Sequence, residues 1–430
     1  MRYIAAALLA LGTMCGCDLA FSTVGSRTVG TPPPAAITTN HIVALADGRV
    51  GIFGGVSLQT GQASGALMLY DPAAGTWRPG APMPGPAYPD VVARLHDGTV
   101  LVEGGPGPDG PSGFTSIYDP VANRWSQAAR VSEPRSSPRF AVLADGRLLI
   151  AGGDLPLAEP ITLPNGTIVN DQPTTTVEIF DPSTRAWSAA GRLTEARDGF
   201  ALVALAGGGA LAAGGCVQSE VFPARGLTMA EVFDGASSSW SATTPLPSAI
   251  CLGTGAGLRD GRALLIDQTM FGNSSNESFL YEPKSRAWSA AGSLAGGGTT
   301  AVVLADGRVM VPETQAGSPQ GHVFIDYVGG QVFDPTTSQW SYVTTTQVPL
   351  PLVYLFAAGT SLAVSLPDGT ALVILQTVTL SFHPQVAPPP TQLLESTGLT
   401  TVLLALAVII GLLMLLAYRR ASRTDLTKLQ

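Results

Sequence analysis

The stretch Leu45-Ala46-Asp47-Gly48-Arg49-Val50, running on to Gly54-Gly55, then to Tyr70-Asp71-Pro72 and Trp77, decides the fold because it recurs. Later copies close on Trp125, Trp187, Trp240, Trp288 and Trp340, at intervals of 48, 62, 53, 48 and 52 residues. With Trp77 these are all six tryptophans of the chain. A period near 50 with four short strands per unit is the pattern of propeller blades, each too small to bury its apolar faces alone. Asp-Gly between two apolar runs marks a hairpin, here expected to turn through type I′ geometry with positive φ at both residues. Equivalent turns stand at Asp97-Gly98, Asp145-Gly146, Asp260-Gly261, Asp306-Gly307 and Asp368-Gly369, and Gly207-Gly208-Gly209 replaces them in unit four. The fold expected is all-β, a seven-bladed propeller over residues 37–384.

The third strand of each unit ends at Tyr70-Asp-Pro, Tyr118-Asp-Pro, Phe180-Asp-Pro, Phe233-Asp-Gly, Tyr281-Glu-Pro or Phe333-Asp-Pro. Proline cannot donate to a ladder and so stops the strand. The Trp then opens the outer strand, where its bulk suits packing between neighbouring blades. A residue repeated once per unit at one position reads as scaffold, so the six tryptophans are assigned to the architecture. Unit seven has a hairpin at Ser361–Leu366 and Thr370–Leu375 and a third strand ending Phe382-His383-Pro384, but no Trp. Its missing outer strand is expected from the N-terminal segment, near Phe21–Val29 within the linker 18–36, closing the ring and removing open sheet edges.

The two ends point to export of the propeller. Met1-Arg2, the apolar run Ile4–Leu11 and the small residues before Cys17 have the layout of a secretory signal over residues 1–17. Met14-Cys15-Gly16-Cys17 resembles a bacterial lipobox, which makes Cys17 the candidate for lipidation, with simple cleavage the alternative. After a Pro-rich linker at 385–398, Leu399–Ala417 is an uncharged run of 19 residues, about 28 Å as a helix. A transmembrane helix is therefore expected over 399–418, a C-terminal sorting signal being the other reading. Arg419, Arg420, Arg423 and Lys428 in the tail 419–430 put that tail in the cytosol and the propeller outside. Net charge is −8 and no basic stripe lies outside the C-terminus, which argues against a nucleic-acid partner.

The repeat resembles the kelch family, which carries a Gly-Gly ending the second strand, a Tyr on the third and a Trp about six residues beyond. Ile266-Asp267 and Val311-Pro312 depart from that pattern where Gly-Gly belongs. The resemblance implies a propeller that usually binds proteins or glycans, with a minority of enzymes. Galactose-oxidase-like members hold copper with two Tyr and two His, but His41, His96, His322 and His383 are scattered over separate units. Sialic-acid epimerases on the same fold need converging acid and base groups, and no such pair stands out in the sequence. No cofactor or metal is expected.

Cys216, at the end of the second strand of unit four, and Cys251, at the start of unit five, fall on one face of adjacent blades. In an exported chain they are expected to form a disulfide. On the same face run the long connections after the second strands, which bring Glu103, Asp154, Arg225, Asp267 and Glu313 to a possible ligand rim. The sequence thus suggests a non-catalytic, membrane-anchored module that binds a protein or an envelope glycan. An exported propeller enzyme acting on sugars, of oxidase or epimerase type, is the alternative.

Overall fold

A computed structural model describes residues 25–30, 37–38, 41–57, 63–85, 88–107, 110–163, 166, 168–217, 226–268, 276–294, 300–317, 324–346, 362–366, 371–374 and 379–384. Cys17, the signal segment, Arg225 and the whole of 385–430 lie outside them, as does the side chain of Glu313. Among the described residues no helix is long and apolar enough to cross a membrane.

The architecture is an all-β propeller of four-stranded antiparallel sheets. Blade 1 runs Ile42–Ala44, Val50–Phe53, Leu67–Asp71, Thr76–Pro79 from centre to rim, and blade 2 runs Val91–Arg94, Val100–Glu103, Thr115–Asp119, Arg124–Gln127. Blade 3 begins Arg139–Val142, Leu148–Ala151 and ends Thr176–Asp181, Ala186–Arg192, and blade 4 begins Ala201–Ala204, Ala210–Ala213 and ends Ala230–Asp234, Ser239–Ala242. Blades 5 and 6 repeat the order from Gly253–Gly257 and Val302–Val303 out to Ala287–Ser293 and Gln339–Thr346. Six blades, not seven, are thus each built whole from one run of chain.

The remaining sheet is composite. Leu362–Ser365, Ala371–Ile374 and Thr379–Pro384 are joined by Gly25–Gly30, paired antiparallel from Gly25 with Pro384 to Gly30 with Thr379. A strand from each end of the propeller thus completes the sheet whose stretch of sequence carries no Trp. The first strand of this sheet neighbours the first strands of blades 6 and 1.

The hairpin turns differ from expectation. The Gly48 N–H donates to Leu45 O at 3.2 Å and the Leu45 N–H to Arg49 O at 2.7 Å, and only Gly48 of Ala46-Asp47-Gly48 has positive φ. This is a three-residue loop, a type I turn closed by a left-handed glycine, which keeps Asp47 in an ordinary conformation. The Asp47 carboxylate instead accepts from the Arg49 N–H and guanidinium. Arg49, Arg147 and Arg262 each reach on to a carbonyl of the following blade, Pro120, Gly235 and Pro335, at 2.6–2.7 Å. These arginines fasten blade to blade at the end opposite the long connections.

The core lies between blades rather than within them. Leu149, Ala151 and Ile179 of blade 3 pack with Ala210, Ala212 and Phe233 of blade 4 and with Phe200 before it, and the same pattern joins each neighbouring pair. Tyr118, Phe180, Phe233, Tyr281 and Phe333 are fully buried, each ring contributing roughly 2–3 kcal/mol by apolar burial. Opposite each, the half-buried Trp stacks at 5.0–5.2 Å. The indoles of Trp125, Trp187, Trp240, Trp288 and Trp340 then donate backwards, to Ala81 O, Thr115 Oγ1, Ala190 O, Thr244 O and Ser278 Oγ. Their rings are spent on this stacking and on these bonds.

Candidate functional site

At one end of every blade the innermost strand begins and the second strand ends, so residues at both junctions collect there. The segments leading into blades 3 and 4 carry matching sequences, Ser132-Glu133-Pro134-Arg135 and Thr194-Glu195-Ala196-Arg197. Arg197 is fully buried and donates to Glu231 Oε1 at 2.8 Å and to the carbonyls of Gly214 and Met229. Glu231 also accepts from the Thr194 N–H and hydroxyl. Blade 3 repeats the arrangement with Arg135, Glu178, the Thr176 carbonyl and Ser132. Each buried charge is matched and its hydrogen bonds are made, which is the condition for keeping an ion pair out of water. Sequence reasoning missed both clamps. The signal available was the repeated Ser/Thr-Glu-x-Arg spacing of their blade leads together with a Glu two residues before the third-strand aromatic.

Blade 2 breaks the pattern. Its third-strand counterpart of Glu178 is Ser116, and its lead, Tyr88-Pro89-Asp90, has no arginine. Instead Glu103 stands where the second strands of blades 3 and 4 end in Ala151 and Ala213. Glu103 is 1% exposed, and its Oε2 is enclosed without a hydrogen-bond partner. Burial, the nearby Asp90 and Glu178 push its carboxyl up to about 8 against the pull of Arg135, so it holds its proton at neutral pH. Asp90 is half-buried, and burial raises it too, although its carboxylate accepts from the Gly105 and Ser137 N–H groups. Gly104 allows this approach. Its φ is +83°, and a Cβ there would lie 2.5 Å from Asp90 Oδ2.

The polar arc continues on both sides. His41, ahead of blade 1, meets Tyr88 edge to face at 5.8 Å, and burial lowers it to about 4, leaving the imidazole neutral. Arg139 opens the innermost strand of blade 3, with Asp198 of the blade 4 lead as its electrostatic partner. Next along, Cys216 and Cys251 form the expected disulfide, their Cα atoms 4.8 Å apart, tying blade 4 to the start of blade 5.

The expected rim is not one set. Glu103 and Asp267 are buried rather than rim-exposed, because each ends a second strand that neighbouring elements cover. Asp154 is half-buried, begins the hairpin Asp154–Thr162/Ile168–Pro173 and exchanges two 2.9 Å backbone hydrogen bonds with Ser136. Glu103 joins a cluster of ionisable groups, and its companions Asp90, Arg135 and Glu178 were not anticipated.

The fold is an all-β propeller, and two solved structures are similar to it. A solved structure described as a novel fungal alcohol oxidase with catalytic diversity among the AA5 family, in complex with copper, matches with a TM-score of 0.57 and 14% identity, over 84% of this chain and 76% of that one. A structure described as YjhT matches with a TM-score of 0.50 and 16% identity, over 73% of this chain and 98% of that one. No protein-family model matches the chain, and no curated protein is similar to it in sequence. The expectation of a module outside catalysis is corrected by the oxidase match, since the propeller form found here is one that carries an enzyme.

Among the described residues the histidines do not converge on a copper site, and His322 lies outside those residues. His41 lies at the mouth, whereas His96 lies beside the Gly146 turn at the other end of the blades, and His383 is in the composite sheet. Among the described residues no three His, Cys, Asp or Glu side chains are grouped to hold a metal.

Proposed function

We propose that the chain is a propeller enzyme acting on sugars by acid–base chemistry at the mouth between blades 2 and 4. The observation that carries this reading is the Asp90–Glu103 pair, two carboxyls held together with one kept protonated near neutral pH. Perturbed carboxyl pairs in a concave mouth are where proton-transfer chemistry is expected. Asp90, half-buried and hydrogen-bonded, is the group open to a substrate hydroxyl and serves as acid or base. Glu103, enclosed behind it, acts through Asp90 as a positioning residue that keeps it from being a weak, fully solvated carboxylate.

The oxidase match supports a substrate bearing hydroxyl groups, and the perturbed carboxyls of Asp90 and Glu103 favour proton-transfer chemistry. The composite sheet serves in this reading as the seventh blade. The apolar runs at both ends support export and tethering at the extracytoplasmic face, with Cys17 lipidated.

The test is a panel of hexoses, N-acetylhexosamines and uronates incubated with the full chain, with anomer and epimer interconversion followed by polarimetry and proton NMR. Turnover is expected, and D90N should lower kcat by about 100-fold or more, the range for loss of a general acid or base. Failure to convert any of these sugars, or full activity in D90N, would sink the reading.

A further inference from the structure

The two strands that close the ring join the rest of the chain at one end of the propeller. Gly25, the first residue of its strand, is the register partner of Pro384, the last residue of its own. Phe382 pairs with Ala371 as Tyr70 pairs with Val50 in blade 1, and Ser365 pairs with Ala371 as Ala44 pairs with Val50. The composite sheet therefore stands the same way up as blade 1. Gly25 and Pro384 lie where a first strand ends and a second begins, the end fastened by Arg49, Arg147 and Arg262. The Asp90–Glu103 mouth is at the opposite end.

The two ends differ in relief. At the fastened end the turns are short: Ala46-Asp47-Gly48 between the first strands of blade 1, and the closed turns from Asp71 to Thr76 and from Asp119 to Arg124. At the mouth end the chain between Ala151 and Thr176 runs out into the hairpin Asp154–Thr162/Ile168–Pro173. A surface of short turns can lie against a plane, and one that carries such a hairpin cannot. The reach of the N-terminus adds a second constraint. Cys17 precedes Gly25 by eight residues, at most about 29 Å of extended chain. Turning the mouth toward a bilayer that holds Cys17 would send those residues back along the six-residue strand Gly25–Gly30, about 20 Å long. Only about a third of the tether would remain to clear the mouth-side connections, of which one strand alone, Asp154–Thr162, has nine residues.

We infer that the short-turn end of the propeller faces the bilayer and that the mouth opens away from it. The inference rests on the tethering read above, with Cys17 lipidated, and goes beyond it by assigning the membrane-facing surface. Asp90 is thereby presented to glycans arriving from the aqueous side rather than to headgroups of the same bilayer. Val121, 82% exposed in its turn, and Ala73 in the equivalent turn of blade 1 lie on the membrane side. Glu159 and Ile168 of the long hairpin, both exposed, lie on the side of the mouth.

The experiment attaches one fluorophore at a time to the full chain through V121C, A73C, E159C or I168C, with the unsubstituted chain as the labelling background. Each protein is reconstituted into vesicles of phosphatidylethanolamine and phosphatidylglycerol whose headgroups carry a nitroxide quencher. Two positions at each end guard against a single variant that fails to fold, and circular dichroism checks all four. Emission from V121C and A73C should be quenched at least about twofold more than emission from E159C and I168C, since the tether reaches no further than about 29 Å. Equal quenching at both ends, or stronger quenching at Glu159 and Ile168, would overturn the inference and leave the tether standing. A full chain that does not float with the vesicles would remove the tether and the inference together, and the D90N assay would still decide the acid–base reading.

Discussion

The sharpest consequence of burying Glu103 is a stability that falls as pH rises, and E103Q isolates it. The folded carboxyl titrates at about 8 against an ordinary value of 4.5, a difference near 3.5 pH units. At about 1.4 kcal/mol per unit this amounts to roughly 5 kcal/mol, an upper figure if water reaches the ionised group. Between pH 4.5 and 8 the folded chain binds the proton and the unfolded chain does not, so stability is whole below 4.5 and is lost progressively up to 8. Gln keeps the shape and a donor but cannot ionise. Urea unfolding at half-unit steps from pH 4 to 9 measures both proteins, and subtracting the curves cancels every other titration. The two should agree to within about 1 kcal/mol at pH 4, and E103Q should be the more stable by several kcal/mol at pH 9. A flat difference curve, or E103Q less stable at pH 9, would refute both the burial of this carboxyl and its role beside Asp90.

His41 gives the opposite slope. Burial lowers it to about 4 from 6.5, so the unfolded chain gains a proton first on acidification, and H41Q should recover about 3 kcal/mol near pH 4 in the same urea series. E231L alone should destabilise by about 3–5 kcal/mol by stranding Arg197, whereas R197M/E231L should lie within about 1 kcal/mol of wild type, both read by urea midpoints. C251S, or reduction of the disulfide spanning 35 residues, should cost roughly 3–4 kcal/mol in the same assay.

The repeat was legible because its marks are local. The Asp-Gly turn, the aromatic-Asp-Pro strand end and the Trp lie within one unit, and each follows from backbone or packing rules that need no partner. The disulfide was legible for a related reason, since blade topology alone brings Cys216 and Cys251 to one face. The turn type was misread because the loop includes Ala46 as well as Asp47-Gly48, so a single left-handed glycine suffices. The clamps were not legible because Arg135 finds Glu178 across 43 residues and Arg197 finds Glu231 across 34, and only two units carry them. Glu103 was noticed as an acid but placed on a solvated rim, because what buries it belongs to blade 3 and to the lead of its own blade.

A repeat protein carries its own controls, and they separate scaffold from site at this mouth. Where blades 3 and 4 bury a charge they bury its counterpart as well, and the two solutions are nearly identical. Where blade 2 buries Glu103 it supplies no cation of its own, and where blade 3 places Arg139 it supplies no hydrogen bond. Neighbouring blades build the same strands from Ala, Val and Thr, so neither departure is a demand of the fold. Each weakens the folded state, one progressively above pH 4.5 and the other by leaving donors unmatched. Two groups of opposite kind that the repeat does not demand, on adjacent blades and on either side of Asp90, therefore mark this end of the propeller as site rather than scaffold.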